Sequence, residues 1–219
     1  PFSPKILIFC NERFCKDTKQ KNSLYGGIIT QLNKKKVPNY LIEYDQVYNL
    51  NNFFKFYKHI RSNGSTFIGH YYDGEVFRNS SRIVNLLREK WNILKEDSSF
   101  QKSLEYEGIN IYPYLEKRFD IIFRGLSYFI ADSISITKSI LEKEKSAKVA
   151  LIEHDENYIG KGVLVNAKHI KTVSIHSELL YPDGCLSRHI PQKPTKKPFP
   201  DLKLAPGEYG KDVLVNHCN

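Results

Sequence analysis

Lys148-Val-Ala-Leu-Ile-Glu-His-Asp-Glu-Asn157 and Lys171-Thr-Val-Ser-Ile-His-Ser-Glu178 decide how the chain is read. Each holds a short apolar run, Val149 to Ile152 and Val173 to Ile175, of the kind found in strands buried on both faces. Each run then gives way to titratable residues: Glu153, His154, Asp155 and Glu156 after the first, His176 and Glu178 after the second. Between them, Ile159, Val163, Leu164 and Ala167 recur at helical spacing within Tyr158 to His169. Strand, helix and strand in about thirty residues make a βαβ unit. In parallel α/β sheets, ligands sit beyond the carboxyl ends of the strands. Two adjacent strand ends carrying His and carboxylates are therefore the expected seat of chemistry. The plainer alternative is polar loops flanking core strands.

Upstream, Lys5 to Cys10 reads as a first buried strand and Asn11 to Asn22 as a polar loop at its carboxyl end. Tyr25 to Leu32 reads as a helix with Gly26-Gly27 at its start, where a ligand can approach the backbone closely. Two glycines are not a dinucleotide fingerprint. Val37 to Tyr44 predicts a second strand, Asn51 to Ile60 an aromatic-rich helix, and Thr66 to Tyr72 a third strand. Ser80 or Ser81 is placed to cap a helix whose inner face carries Ile83, Leu86, Leu87, Trp91 and Leu94. Asp97 or Ser98 caps a further short helix. Pro113 opens the longest periodic segment, with apolar residues from Leu115 through Ile122, Leu126 and Phe129 to Ile140. Such a helix packs across the sheet or, alternatively, lies on a membrane surface.

Beyond the central unit, Leu179 to Pro200 is rich in proline and lysine and reads as a long loop. A short strand over Leu202 to Ala205 and a helix over Gly207 to Cys218, with Val213 and Leu214 inward, complete the pattern. The expected fold is α/β: one Rossmann-like, three-layer domain over residues 1–219 with a mostly parallel sheet.

The 219 residues, 41% hydrophobic and 26% charged, suffice for one sizeable core. No apolar run approaches the ~20 residues that span a bilayer. Cys10, Cys15, Cys185 and Cys218 form no C-x-x-C pair, so reduced thiols and a cytoplasmic setting are expected. The net charge of +9 attracts polyanions or an anionic membrane surface. No aromatic RNP motif accompanies it, and nucleic acid is not the expected partner. Methionine is absent throughout, which points to a fragment or to modified methionines lost from the sequence as written.

Three stretches look familiar together. The first runs from Leu87-Arg-Glu-Lys-Trp91 through Asp97, Phe100, Tyr106 and Gly108-Ile109 to the helix after Pro113. The second is the central unit, ending in Ile175-His176-Ser177. The third is Phe199-Pro-Asp-Leu-Lys-Leu-Ala-Pro-Gly-Glu-Tyr-Gly-Lys-Asp-Val-Leu214. In order and spacing they resemble the N-terminal half of GT-B-type glycosyltransferases that build surface polysaccharides, the capsule and teichoic-acid-polymerase-like group. Where that group has Gln-His-Gly, this chain has Ile175 and Ser177 around His176. The resemblance implies an acceptor-side domain, followed in a longer protein by a donor-binding domain absent from this chain. It implies a nucleotide-sugar donor, no tightly bound cofactor or metal, and a saccharide or lipid-linked acceptor. The basic charge would keep such a domain near anionic lipid at the inner face of the membrane, or near an anionic, lipid-linked acceptor.

Inverting glycosyl transfer needs a base for the acceptor hydroxyl and positive charge or helix N-termini for the departing diphosphate. His176 is the expected base, since an imidazole titrates near neutral pH; the alternative is a histidine that orients the next loop. Asp155 or Glu156 orients His176 or serves as the base itself. Glu153, Ser177, Glu178, Arg188, His189 and Glu208 are the expected substrate-binding residues. Glu153 has the alternative of pairing with a lysine, and Glu208 that of helix capping. Two rival functions stand beside this one. A non-catalytic Rossmann-like module would bind a nucleotide or a partner. A metal-dependent hydrolase would draw on His154, Asp155, Glu156, His176 and His189, though no tight metal-ligand spacing is present.

Overall fold

A computed structural model describes residues 6–11, 24–44, 65–153, 157–175, 199–204 and 207–216. Strand β1 (Ile6–Asn11) leads through α1 (Leu24–Lys34) to β2 (Asn39–Tyr44) and the two-residue β3 (Thr66–Phe67). Helix α2 (Gly74–Leu94), α3 (Ser98–Ser103), the small hairpin β4 (Glu105–Tyr106) and β5 (Ile109–Asn110), α4 (Tyr112–Ile121) and α5 (Ser127–Lys143) follow. The chain then returns to β6 (Val149–Glu153), α6 (Tyr158–Asn166), β7 (Lys171–Ile175), β8 (Leu202–Leu204) and α7 (Gly207–Asn216). The six-stranded sheet has the order β3-β2-β1-β6-β7-β8, and every pairing in it is parallel. The expected Rossmann-like α/β architecture is what the chain adopts.

Period-two alternation divides β1 between two cores. Leu7 and Phe9 join Ile42, Ala150 and Ile152 under Val76 of α2, Ile136 and Ile140 of α5, and Val163 and Leu164 of α6. Ile8 and Cys10 join Leu41, Leu151 and Ile175 under Tyr25, Ile28, Ile29 and Leu32 of α1. From β1 the chain steps one way to β2 and from β6 the other way to β7. Crossovers of one hand running in opposite directions must cover opposite faces, which gives three layers and a switch point between β1 and β6.

Several expectations need correction. The third strand begins at Thr66 as expected but ends at Phe67, where the chain tightens into a 3-10 turn over Ile68–Tyr71. Ile68 and Tyr71 then face the same core at the i, i+3 spacing of that turn. Helix α2 starts at Gly74, because Asp73 accepts from the backbone N–H of Glu75 and Val76. Ser80 is a buried interior residue of that helix, and the inner line is Val76, Ser80, Val84 and Trp91, with Leu86 exposed. The long helix over 112–143 contains a π-helical turn at Ile122–Leu126. Only its second half reaches the sheet; Ile122, Leu126 and Phe129 are exposed, while Phe119 and Phe123 pack on Trp91. Cys10 is disulfide-bonded, so reduced thiols do not hold for it. The predicted loops over 11–22 (beyond Asn11) and 179–200 (up to Pro198), the helix over 51–60 and the side chains of Val213 and Leu214 lie outside the described residues.

Candidate active site at the sheet switch point

The carboxyl ends of β1, β2 and β6 meet the starts of α1 and α6 at the switch point. Asn157 fixes the geometry there because it caps α6: its Oδ1 accepts the Gly160 N–H at 2.6 Å. The same side chain uses its Nδ2 to reach two neighbours, the Tyr44 hydroxyl at 2.8 Å and the Glu153 carbonyl at 2.7 Å. One asparagine thus ties the end of β2 to the end of β6.

Glu153 closes β6 and is only 4% exposed. Its carboxylate accepts the Asn11 N–H at 3.1 Å, bridging the last residues of β1 and β6. The Tyr44 hydroxyl, which accepts from Asn157, hydrogen-bonds to the same carboxylate. The Tyr25 ring, at the start of α1, is fully buried, and its hydroxyl has no hydrogen-bond partner among the described residues. Burial, and then the negative charge of Glu153, raises both phenols above the ordinary tyrosine range. Both therefore stay protonated at neutral pH; the Tyr44 O–H is given to Glu153, which leaves the Tyr25 O–H as the donor beside a buried acceptor. A second buried carboxylate at this edge, Glu43, accepts from the Ser65 hydroxyl.

Of the expected site residues, Glu153 lies at the centre of this cluster. Register pairs it with Ile175, so the chain enters His176 one residue beyond that row. His154, Asp155, Glu156, His176, Ser177, Glu178, Arg188 and His189 themselves lie outside the described residues. Glu208 is exposed in the first turn of α7, beyond β8, and β7 separates that strand from β6; it does not join the Glu153 cluster. Tyr25, Tyr44, Asn11 and Asn157 were not singled out by sequence. Asn157 carried a readable signal, an N-cap residue type directly before a helical pattern. The tyrosines carried none, since their role depends on which strands become neighbours. Among the described residues no group of three or more His, Cys, Asp or Glu converges as a metal site. No family model, no curated protein and no solved structure matches the chain.

Proposed function

We propose that this domain is the acceptor-binding half of a nucleotide-sugar-dependent glycosyltransferase, with the switch-point crevice receiving the acceptor. The observation that carries this reading is the buried Glu153 carboxylate flanked by two protonated phenols at the carboxyl edge of the sheet. A sugar hydroxyl both donates and accepts, and this set offers an acceptor, Glu153, and a donor, Tyr25, side by side. The acceptor oxygen attacks the anomeric carbon of the donor sugar, its bond to the nucleoside diphosphate breaks, and the hydroxyl proton passes to His176. Glu153 positions the acceptor.

A nucleotide-binding module without turnover is the second reading. It is favoured by α1 starting at the switch point with Tyr25-Gly26-Gly27. A phosphate there would meet the charge of Glu153, which lies close enough to Tyr25 to raise its pKa. That electrostatic cost favours a neutral hydroxyl over a phosphate. The test is transfer from labelled nucleotide sugars to a saccharide or lipid-linked acceptor by the protein that carries this domain. His176→Ala should lower kcat by about 10²–10⁴-fold, the worth of a general base. Glu153→Gln should raise the acceptor KM more than it lowers kcat. Undiminished transfer in both variants rules the reading out, and tight binding of a nucleoside diphosphate by this domain alone selects the second one.

A further inference from the structure

The amino edge of the parallel sheet, opposite the crevice, gathers much of the positive charge carried by the described residues. Three elements bring it there. Helix α1 ends in Lys34, followed by Lys35 and Lys36 just before β2. The turn from α5 into β6 carries Lys145 and Lys148, and the turn from α6 into β7 carries Lys168, His169 and Lys171. These strand starts lie side by side: the Lys171 N–H donates to the Lys148 carbonyl at 3.0 Å, and Ile6 donates to Pro38 at 3.2 Å. All seven lysines are exposed.

The nearby carboxylates are already engaged. Asp201 holds Lys171 at 3.1 Å, Glu144 accepts the Tyr71 hydroxyl at 2.9 Å, and Glu142 faces Lys138 at 3.8 Å. Between the lysine turns lies a cavity of about 300 Å³ with an apolar floor of Leu141, Ala147 and Ile170 and a rim that includes Lys145, Lys148 and His169. Phe199, 69% exposed, stands just before β8 at the same edge. Lys36 adds a backbone clue: its φ is 54°, the left-handed conformation that glycine adopts at a helix end without penalty. A lysine stands where glycine would fit better.

We propose that this edge docks on an anionic lipid bilayer. Point-charge lysines on separate turns of a broad edge suit a fluid array of phosphates, which can rearrange to meet them. A nucleic acid fits less well, because the lysine turns 34–36, 145–148 and 168–171 carry no Phe, Tyr or Trp, and His169 with the exposed Phe199 makes no row of rings for successive bases. A second copy of this chain is opposed by like charge, +9 against +9. The assignment is independent of the acceptor reading.

The test is co-sedimentation of the protein with vesicles of phosphatidylcholine alone and of phosphatidylcholine with 30 mol% phosphatidylglycerol (~0.1 M salt, about one Debye length of 10 Å). Binding is expected to the anionic vesicles only and to weaken as salt rises. Each lysine removed should weaken it about fivefold, and Lys35→Glu, Lys148→Glu and Lys168→Glu together at least a hundredfold. Lys36→Gly removes a charge while relieving the backbone, so a weakened binding there cannot come from unfolding. No sedimentation with anionic vesicles overturns the proposal. So does equal binding to both vesicle types, binding unchanged in the lysine variants, or a preference for an RNA or DNA oligomer that displaces the protein from vesicles.

Discussion

Tyr25 sets stability against use at a single atom. A buried hydroxyl without a partner costs free energy, and this one has none among the described residues. Tyr25→Phe should therefore raise stability by about 1 kcal/mol, or roughly 2–4 °C in Tm for a chain of this size, while weakening acceptor binding. Differential scanning calorimetry and an acceptor titration read the two effects separately. A loss of stability would show that the hydroxyl is satisfied in the native protein. The two phenols also fix a pH limit. Their folded pKa values lie above the ordinary tyrosine value of 10.0, so their contribution is complete below pH 10 and falls as pH rises further. Alkaline unfolding followed by far-UV CD should begin above about pH 10 and shift upward in the Tyr25→Phe, Tyr44→Phe double variant. Gly162 makes the opposite demand. A Cβ there would lie 2.5 Å from the Ser133 carbonyl oxygen and 2.8 Å from the Thr137 hydroxyl. Neither backbone nor a buried threonine can give way cheaply, so Gly162→Ala should cost about 1–3 kcal/mol in urea unfolding.

Between elements, the aromatic cluster on α2 does for the helical projection what the sheet does for the core. Trp91 is fully buried and stacks on Phe123 at 5.0 Å, with Phe119 at 5.5 Å and Phe100 at 6.3 Å, and its indole N–H donates to Asp120 at 2.6 Å. None of these residues belongs to either core of the sheet. Trp91→Ala should cost about 3–5 kcal/mol and raise hydrogen exchange first in α3 and α4; uniform exchange across the sheet as well would mean that the cluster is not a separate unit. At the far end of the sheet, Asp201 ties β8 to β7 by accepting from the Thr172 N–H at 2.8 Å and its hydroxyl at 2.9 Å. The first of these bonds, with Lys171 beside it, lowers the Asp201 pKa to about 2, from 3.8. Its contribution is thus full above pH 4 and lost as the pH falls toward 2. What was legible in the chain follows from this division. β1 and β6 are buried on both faces and are written as apolar runs, whereas β2 and β7 also bury Glu43, Thr172 and Ser174 and show only through Leu41, Ile42, Val173 and Ile175. Trp91, Phe119 and Phe123 also stand out as aromatics, but the long helix read as one stripe because periodicity does not say where a sheet ends. The start of α2 was misplaced because Ser80 and Asp73 are both capping residue types, and only the Lys143 and backbone contacts of Asp73 decide between them.

For the molecule as a whole, a parallel sheet has two unlike edges, and this chain has loaded them differently. The carboxyl edge holds Glu153, Glu43 and two protonated tyrosines in a water-poor setting. The amino edge holds exposed lysines on three turns, before β2, β6 and β7. The edges are separated by the length of the strands, five or six residues in β1, β2, β6 and β7, or about 15–20 Å at ~3.3 Å per residue. Sites that far apart with no shared partner contribute additively. Screening reinforces the separation, because exposed charges beyond about 10 Å interact weakly at 0.1 M salt. The two functions should therefore come apart by mutation. Glu153→Gln should leave binding to phosphatidylglycerol vesicles within about twofold of the parent. The Lys35→Glu, Lys148→Glu, Lys168→Glu variant should leave kcat and KM for a water-soluble acceptor unchanged, yet lower transfer to an acceptor embedded in anionic vesicles. Measuring both variants in both assays fills a two-by-two comparison. If the charge reversals slow transfer to the soluble acceptor, the amino edge acts on the crevice through the sheet, and the two edges form one coupled system.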